Sequence, residues 1–315
     1  KVNLQKSIER LDRKFWTNKK ILITGGTGFF GKALTLILES LGCPDFKIIT
    51  RNKNLSGNRY LYCDLAKKNE VGAIKEEIER AQFVFILSSE FPKVSTKDIS
   101  FDEFLDNIIM VKNLIDVIPI SVQKIVLASS TDVYGMPAYG TPVNECHGIN
   151  PMTYYALSKY IQEKIIEYSI KREIKYLILR YTSIYGENEP HVKFLPVLLD
   201  CIVNNKKFTV FGDASEKRDF INVEDAAIIT LYLVQEGATG IFNISTGKET
   251  TIRELLRIAG KVSGREVSLE YKERVKPKAD LIYDNHKLTS FIKHFQFKPL
   301  HEGIKEQYEI LKAIK

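Results

Sequence analysis

The stretch "KILITGGTGFFGKALTLILESLG", residues 20–42, decides the fold. Its first part, "KILIT" (20–24), is a short continuous apolar run and reads as a buried strand. Its last part, "FFGKALTLILESLG" (29–42), reads as a helix ending at Gly42. Between them, "TGGTGFFGK" (24–32) carries glycines at 25, 28 and 31, with a further one at 26. Glycine permits a tight turn and lets the backbone approach a pyrophosphate closely. The helix that follows aims its free N–H groups and the positive end of its dipole at such phosphates. A lone glycine pattern is a weak signal and can be a flexible turn. Placed between a strand and a helix in the first βαβ unit, it reads as a dinucleotide site.

Outward from this unit, strands and helices alternate. "FKIIT" (46–50), "RYLYC" (59–63), "QFVFILS" (82–88), "KIVLAS" (124–129) and "KYLILRY" (175–181) read as strands. Residues 67–80, 101–118 and 151–172 read as helices, the last opening with Pro151. Continuous apolar strands between helices predict a parallel sheet covered on both faces: a Rossmann-type, doubly wound α/β dinucleotide-binding domain over 19–186. Before it, Leu4, Ile8, Leu11 and Phe15 at helical spacing predict a short amphipathic helix within 1–18. After residue 186 the texture changes. Helices at about 191–205, 222–236, 251–263 and 300–314 are joined by short strands such as "FTVFG" and "IFNIS". This predicts a smaller C-terminal α/β substrate lobe, 187–315, interleaved with the first domain.

Composition narrows the function. A chain of 315 residues, 44% of them hydrophobic, can bury a large core. The net charge of +7 contains no block of five or six like charges, which argues against nucleic acid and suits a phosphorylated small molecule. The four cysteines (Cys43, Cys63, Cys146, Cys201) are scattered without a CxxC pair, and the five histidines form no HExxH. Neither a disulfide framework nor a metal site is expected. No apolar run reaches the ~20 residues that span a membrane, and the N-terminal residues show no secretory pattern. A soluble cytoplasmic protein is the expectation.

"MTYYALSK" (152–159) sets two tyrosines before a lysine. Tyr155 and Lys159 are four apart and share a helix face, whereas Tyr154 points elsewhere. A free phenol, with a pKa of about 10, is a poor acid or base at neutral pH. A nearby ammonium favours the phenolate and lowers that pKa. The spacing makes Tyr155 the candidate, although such a pair is also common in surface packing.

With the glycine turn and Tyr155-x-x-x-Lys159 both present, the chain resembles the extended short-chain dehydrogenases/reductases, in their NAD(P)-dependent nucleotide-sugar epimerase/dehydratase branch. The resemblance runs nearly end to end. "CDL" (63–65) resembles the acidic stretch after the third strand, where Asp64 and Leu65 would meet the adenine. "NIIMVKNLIDV" (107–117) resembles the family's helix that begins with Asn, and "ASSTDVYG" (128–135) the loop that supplies the catalytic Ser or Thr, here Ser130. "LRYTSIYG" (179–186) resembles the segment near nicotinamide and sugar. "FGDASEKRDFINVEDAA" (211–227) resembles the substrate-lobe signature, and "FNISTGKETTIRELL" (242–256) the segment after it. The resemblance implies that Tyr155 moves a proton on a sugar hydroxyl while hydride passes to or from the nicotinamide. Lys159 would hold the nicotinamide ribose and lower the tyrosine pKa, and Ser130 would orient the hydroxyl. The cofactor would lie on Gly25, Thr27, Gly28, Phe29, Phe30, Gly31, Leu87 and Ser88. Arg218, in "KRDFI", would pair with the diphosphate of a nucleotide sugar, since its fork suits phosphate oxygens. Lys276 would be a second phosphate contact, and Asn222 and Asp225 look like helix-start caps.

Departures from the family pattern bear on the reaction. Sugar 4,6-dehydratases usually carry Asp-Glu after the catalytic Thr, where this chain has Thr131 and Asp132. The acid that would expel water is missing, and Asp132 remains as a base or substrate contact. Ser183 replaces the Asn that relatives often have in "RYFN", which suggests a modified sugar pocket. Tyr154 and Tyr185 are either lining residues or ordinary packing. The expectation is oxidoreduction of a nucleotide-diphosphate sugar at carbon 4, by a 4-epimerase or a 4-keto reductase. Alternatives are a dehydratase- or decarboxylase-like member using Asp132, an enzyme for a lactone or flavonoid-like carbonyl, and a catalytically silent NADP(H)-binding sensor. Arg218 argues against the lactone, and the intact Ser130, Tyr155 and Lys159 argue against the sensor. "FKIIT" is followed by Arg51, Asn52 and Lys53, with no carboxylate to hold the adenosine ribose and repel a 2′-phosphate. Arg51 is therefore expected to favour NADP(H) over NAD(H). The resemblance also implies a homodimer through helices 101–118 and 151–172.

Overall fold

The computed structural model describes residues 8–93, 97–136, 141–170, 173–274 and 278–314. In the first half the elements are α1 (Arg13–Thr17), β1 (Ile21–Thr24), α2 (Phe29–Ser40), β2 (Phe46–Thr50), β3 (Tyr60–Tyr62), α3 (Lys68–Ala73), α4 (Lys75–Arg80), β4 (Phe83–Ile86), α5 (Phe101–Val117) and β5 (Lys124–Ser130). There follow α6 (Tyr154–Ser169), β6 (Lys175–Tyr181), β7 (Ser183–Tyr185), α7 (Phe194–Val203), β8 (Phe208–Phe211), β9 (Lys217–Arg218) and β10 (Phe220–Asn222). The last elements are α8 (Val223–Gln235), β11 (Gly240–Ile244), β12 (Thr250–Thr251), α9 (Ile252–Ser263), β13 (Leu269–Lys272), α10 (His286–Phe291) and α11 (Leu300–Ile314).

Seven strands form one parallel sheet in the order β11-β6-β5-β4-β1-β2-β3. β1 and β4 are buried at every position, as strands covered on both faces must be. One face packs Leu34, Leu38, Ile228 and Leu231, from α2 and α8, on the sheet. The other packs Val71, Ile78, Val111, Leu114 and Ile166, from α3, α4, α5 and α6. The expected Rossmann-type architecture is therefore the observed one.

Several boundaries differ from the sequence reading. Within the predicted N-terminal helix, Ile8 is helical and a separate helix runs over Arg13–Thr17, because Asp12 caps a new start by accepting from the Lys14 N–H. Residues 1–7, with Leu4, lie outside the described residues. The helix read over 67–80 breaks at Ile74, where φ −103° and ψ 13° leave helical geometry. The helix read from Pro151 begins at Tyr154, because Thr153 is extended and its Oγ1 caps the Ala156 N–H at 3.0 Å. "IFNIS", read with the lobe, pairs with β6 as the sheet's edge strand, and α8 packs on α2. The chain thus crosses from lobe to sheet and back. The lobe has its own core, with Leu195, Leu198, Phe208, Leu255 and Ile304 from α7, β8, α9 and α11. No helix among the described residues is long and apolar enough to cross a membrane.

Candidate active site

The carboxyl ends of the sheet strands and the lobe enclose a cleft of about 600 Å³. At its base Thr24 is fully buried, and its Oγ1 accepts from the N–H groups of Leu87 (3.1 Å) and Ser88 (3.2 Å). Gly25 turns the chain at φ +70°, where a Cβ would meet Ser88 N at 2.6 Å. A Cβ on Gly31 would lie 2.1 Å from the Gly25 carbonyl oxygen, so turn and helix can touch only without side chains. Gly28 is the N-cap of α2 and offers no capping side chain, which leaves first-turn N–H groups to an anion. This cradle fits a dinucleotide pyrophosphate. Gly25, Thr27, Gly28, Phe29, Phe30 and Gly31 line the cleft, and so do Arg51, Leu65, Leu87 and Ser88. Asp64 does not line it: its Oδ1 accepts from the Ala66 N–H (3.1 Å) and its Oδ2 lies 3.5 Å from Lys67. That carboxylate holds the turn into α3, and its neighbour Leu65 faces the cleft instead.

Ser130, Tyr155 and Lys159 meet where the cradle joins the lobe. Ser130 ends β5, accepts from the Asp132 N–H at 3.1 Å and neighbours Tyr155. Lys159 is 2% exposed, one turn along α6 from Tyr155. Its Nζ lies 6.0 Å from the Tyr155 ring centre and donates to Ala128 O (3.0 Å) and Gln162 Oε1 (3.2 Å). Burial pulls its pKa down to about 7, against the opposing charge of Glu163. Burial, with the Asp132 charge, raises the Tyr155 pKa above its ordinary 10, and the neighbouring Ser130 side chain opposes this. The expected lowering of the phenol by Lys159 is thus absent from the protein by itself. The ammonium is desolvated and engaged by a carbonyl and an amide, and enclosure of the phenol dominates.

Behind this wall, Glu163 of α6 accepts from Arg180 of β6 at Nε (2.9 Å) and Nη2 (2.6 Å), and from Ser129 Oγ of β5 (2.5 Å). Arg180 Nη1 also donates to Tyr134 Oη (2.9 Å), which donates to Asn243 Oδ1 of β11 (2.7 Å). Helix α6 is tied to three strands by these bonds.

On the substrate side Thr131, Asp132 and Ser183 line the cleft. Thr131 Oγ1 donates to Tyr181 O (3.2 Å), while Asp132 is exposed. Arg218 is not on the cleft surface; its Nη1 donates to Lys217 O (2.9 Å) and Ala279 O (2.6 Å), and burial lowers its pKa. The guanidinium is engaged by these two carbonyls. Lys276 lies outside the described residues. Arg51 is not free to await a phosphate, for its Nη2 is ion-paired with Glu90 Oε1. Tyr154 packs on Phe101 and Phe104, and Tyr185 is buried in the lobe against Gly303, so packing describes both. Asn222 caps α8 as expected. Asp225 does not; its Oδ2 accepts from the Lys298 N–H at 2.6 Å.

Sequence reading missed Glu90, Glu189, Lys193 and Tyr283, all of which line the cleft. Tyr283 is buried, stands near Thr131, and feels the charges of Asp132 and Arg218. Glu189 is 9% exposed, accepts from Gln307 Nε2 at 2.9 Å, and is pushed by burial from 4.5 up to about 7. None stands in a local pattern. The "ENEP" around Glu189 reads as an ordinary polar loop.

A family model described as the NAD dependent epimerase/dehydratase family matches residues 21–245. A Methanocaldococcus jannaschii protein assigned as a UDP-glucose 4-epimerase is 31% identical over 255 residues, 76% of this chain and 80% of that one. The dTDP-4-dehydro-6-deoxyglucose reductase of Escherichia coli is 29% identical over 258 residues, 75% of this chain and 79% of that one. The fold matches that of the Thermotoga maritima UDP-glucose 4-epimerase solved with UDP-glucose, at a TM-score of 0.81 and 22% identity over 94% of this chain and all (100%) of that one. The glycine cradle, the Ser130–Tyr155–Lys159 wall and these matches agree: the chain belongs to the NAD dependent epimerase/dehydratase family, within the extended short-chain dehydrogenases/reductases.

Proposed function

We propose that this protein oxidises or reduces the hexose of a nucleotide-diphosphate sugar at carbon 4, as a 4-epimerase or a 4-keto reductase. The observation that carries this reading is the meeting of Ser130, Tyr155 and Lys159 beside the glycine cradle. Bound NAD(P) supplies the hydride acceptor or donor and, when oxidised, a positive ring that favours phenolate. Tyr155 moves the proton of the sugar hydroxyl. Ser130 Oγ orients that hydroxyl, and Lys159 holds the nicotinamide ribose. Thr131 brings no acid to expel water. Asp132, whose charge acts on Tyr155, is the one feature that favours a dehydratase- or decarboxylase-like second reading.

A nucleotide-diphosphate substrate is supported by the relatives, whose names specify UDP-glucose and dTDP-4-dehydro-6-deoxyglucose. Arg218 would turn from the two carbonyls onto the diphosphate, with Lys276 as a second contact. For the cofactor, the cations Arg51 and Lys53 just after β2 support NADP(H) over NAD(H), the pairing of Arg51 with Glu90 opposes it, and titration of both cofactors decides it. A homodimer through α5 and α6 is supported by the apolar side chains those helices expose, Phe101 and Ile109 among them; a concentration-independent monomer in sedimentation would exclude it. The cytoplasm is the proposed location, checked by fractionation. Mass spectrometry of co-purifying ligands, followed by turnover of a nucleotide-sugar panel, tests the whole reading. Turnover of a free sugar or lactone as fast as any nucleotide sugar would overturn it.

A further inference from the structure

Arg51 leaves β2 at the rim of the cleft with its side chain 54% exposed, and its partner Glu90 is 12% exposed. The two ends of this ion pair differ in how firmly they are held. Glu90 follows β4, and its backbone is clamped by one side chain: its N–H donates to Asn107 Oδ1 (2.6 Å), and its carbonyl accepts from Asn107 Nδ2 (3.0 Å). Asn107 is fully buried on α5, and its Nδ2 also donates to Ser158 Oγ of the catalytic helix at 3.1 Å. Lys93 adds a weaker contact to Glu90, its Nζ 3.6 Å from Oε2. Glu90 is therefore the anchored partner and Arg51 the movable one. Asp64 and Asp106 add further negative charge around Arg51.

We infer that Glu90 is a specificity-determining residue for the cofactor, because its carboxylate occupies the guanidinium that a 2′-phosphate on the adenosine ribose would need. The inference rests on the dinucleotide reading of the cleft but not on which cofactor is preferred. Carboxylate and phosphate compete for the same N–H fork. A 2′-phosphate that captured Arg51 would leave Glu90 without that partner, a nearly buried carboxylate beside a second anion. A ribose with a free 2′-hydroxyl demands no such exchange. The end of β2 thus supplies the cation, and the loop after β4 sets how far it can be used.

The test measures binding, by calorimetric titration of NAD+ and NADP+ into wild type, Glu90→Gln, Arg51→Ala and the double variant. Glu90→Gln keeps the side chain's size and leaves the Asn107 clamp on the backbone untouched. It is expected to raise the ratio of NADP+ to NAD+ affinity by about ten- to hundredfold, the range for a hydrogen bond to a charged group. Arg51→Ala is expected to lower that ratio, and the gain from Glu90→Gln should vanish in the double variant. An unchanged ratio in Glu90→Gln overturns the inference. So does a gain that survives in the double variant, since the effect would then be bulk charge rather than competition for Arg51. A wild type that binds neither dinucleotide overturns the reading of the cleft itself. A wild type that prefers NAD+ removes only the expected NADP(H) preference, while the response to Glu90→Gln still decides the role of Glu90.

Discussion

On the wall built from β5, β6 and α6, polar groups close on one another; across the cleft, in the lobe, several are left partly answered. Glu163 takes three hydrogen bonds, two of them from Arg180, and Arg180 uses another N–H on Tyr134. Lys159 is held by a carbonyl and a glutamine. Opposite, among the described residues, Glu189 has the single side-chain donor Gln307, whose own Oε1 is buried without a partner. Arg218 donates to two carbonyls. The first wall is set before a ligand arrives, as chemistry that depends on fixed geometry requires. The second keeps charged groups with fewer side-chain partners among the described residues.

The largest expected effect lies on the closed wall. Tyr155→Phe should keep cofactor binding and lose about 10²–10⁴-fold in turnover, whereas Tyr154→Phe, which alters a ring packed on α5, should cost far less. Equal losses in steady-state assays would break the contrast. Next is the support behind that wall. Glu163→Ala leaves Arg180 buried with an unpaired charge and should cost about 3–5 kcal/mol in denaturant unfolding. A loss below about 1 kcal/mol, ordinary for exposed ion pairs, would show that the wall is not locked by this pair. On the open side, Arg218→Ala should raise KM for a nucleotide sugar about ten- to hundredfold and leave the cofactor affinity unchanged. Matching losses in both would put Arg218 outside a substrate role.

The smallest effect sharpens the comparison through pH. Glu189 is raised from 4.5 to about 7, so between those values the folded protein holds a proton that the unfolded chain releases. Stability contributed by this group is therefore present below pH 4.5 and falls as pH rises to about 7. Glu189→Gln cannot ionise. Its melting temperature should equal or trail the wild type in acid and gain on it by a few degrees toward neutral pH, then run parallel. A difference that does not change with pH would mean that Glu189 titrates normally.

The cradle was legible in the sequence because its signals are local. An apolar run, glycines three apart and an amphipathic helix are short-range features; Gly25 is required by its positive φ, and Gly31 by its approach to the Gly25 carbonyl within the same turn. The four-residue spacing of Tyr155 and Lys159 likewise follows from helix geometry alone. Capping was read less well: Thr153, not Pro151, starts α6, and Asp225 serves Lys298 rather than its own helix. What pairs with what across the cleft could not be read. Arg51 and Glu90 are 39 residues apart, Glu189 and Gln307 118 apart, and Lys159 reaches a carbonyl 31 positions earlier. The sequence by itself determined the βαβ cradle, the parallel sheet and the tyrosine that faces the lysine, since each depends on periodicity over a few residues. Only the tertiary structure decided that Arg51 is already paired, that Asp64 accepts from its own turn and that burial dominates at the phenol. Charge pairing and desolvation depend on which distant segments the sheet order brings together, and no spacing along the chain encodes them.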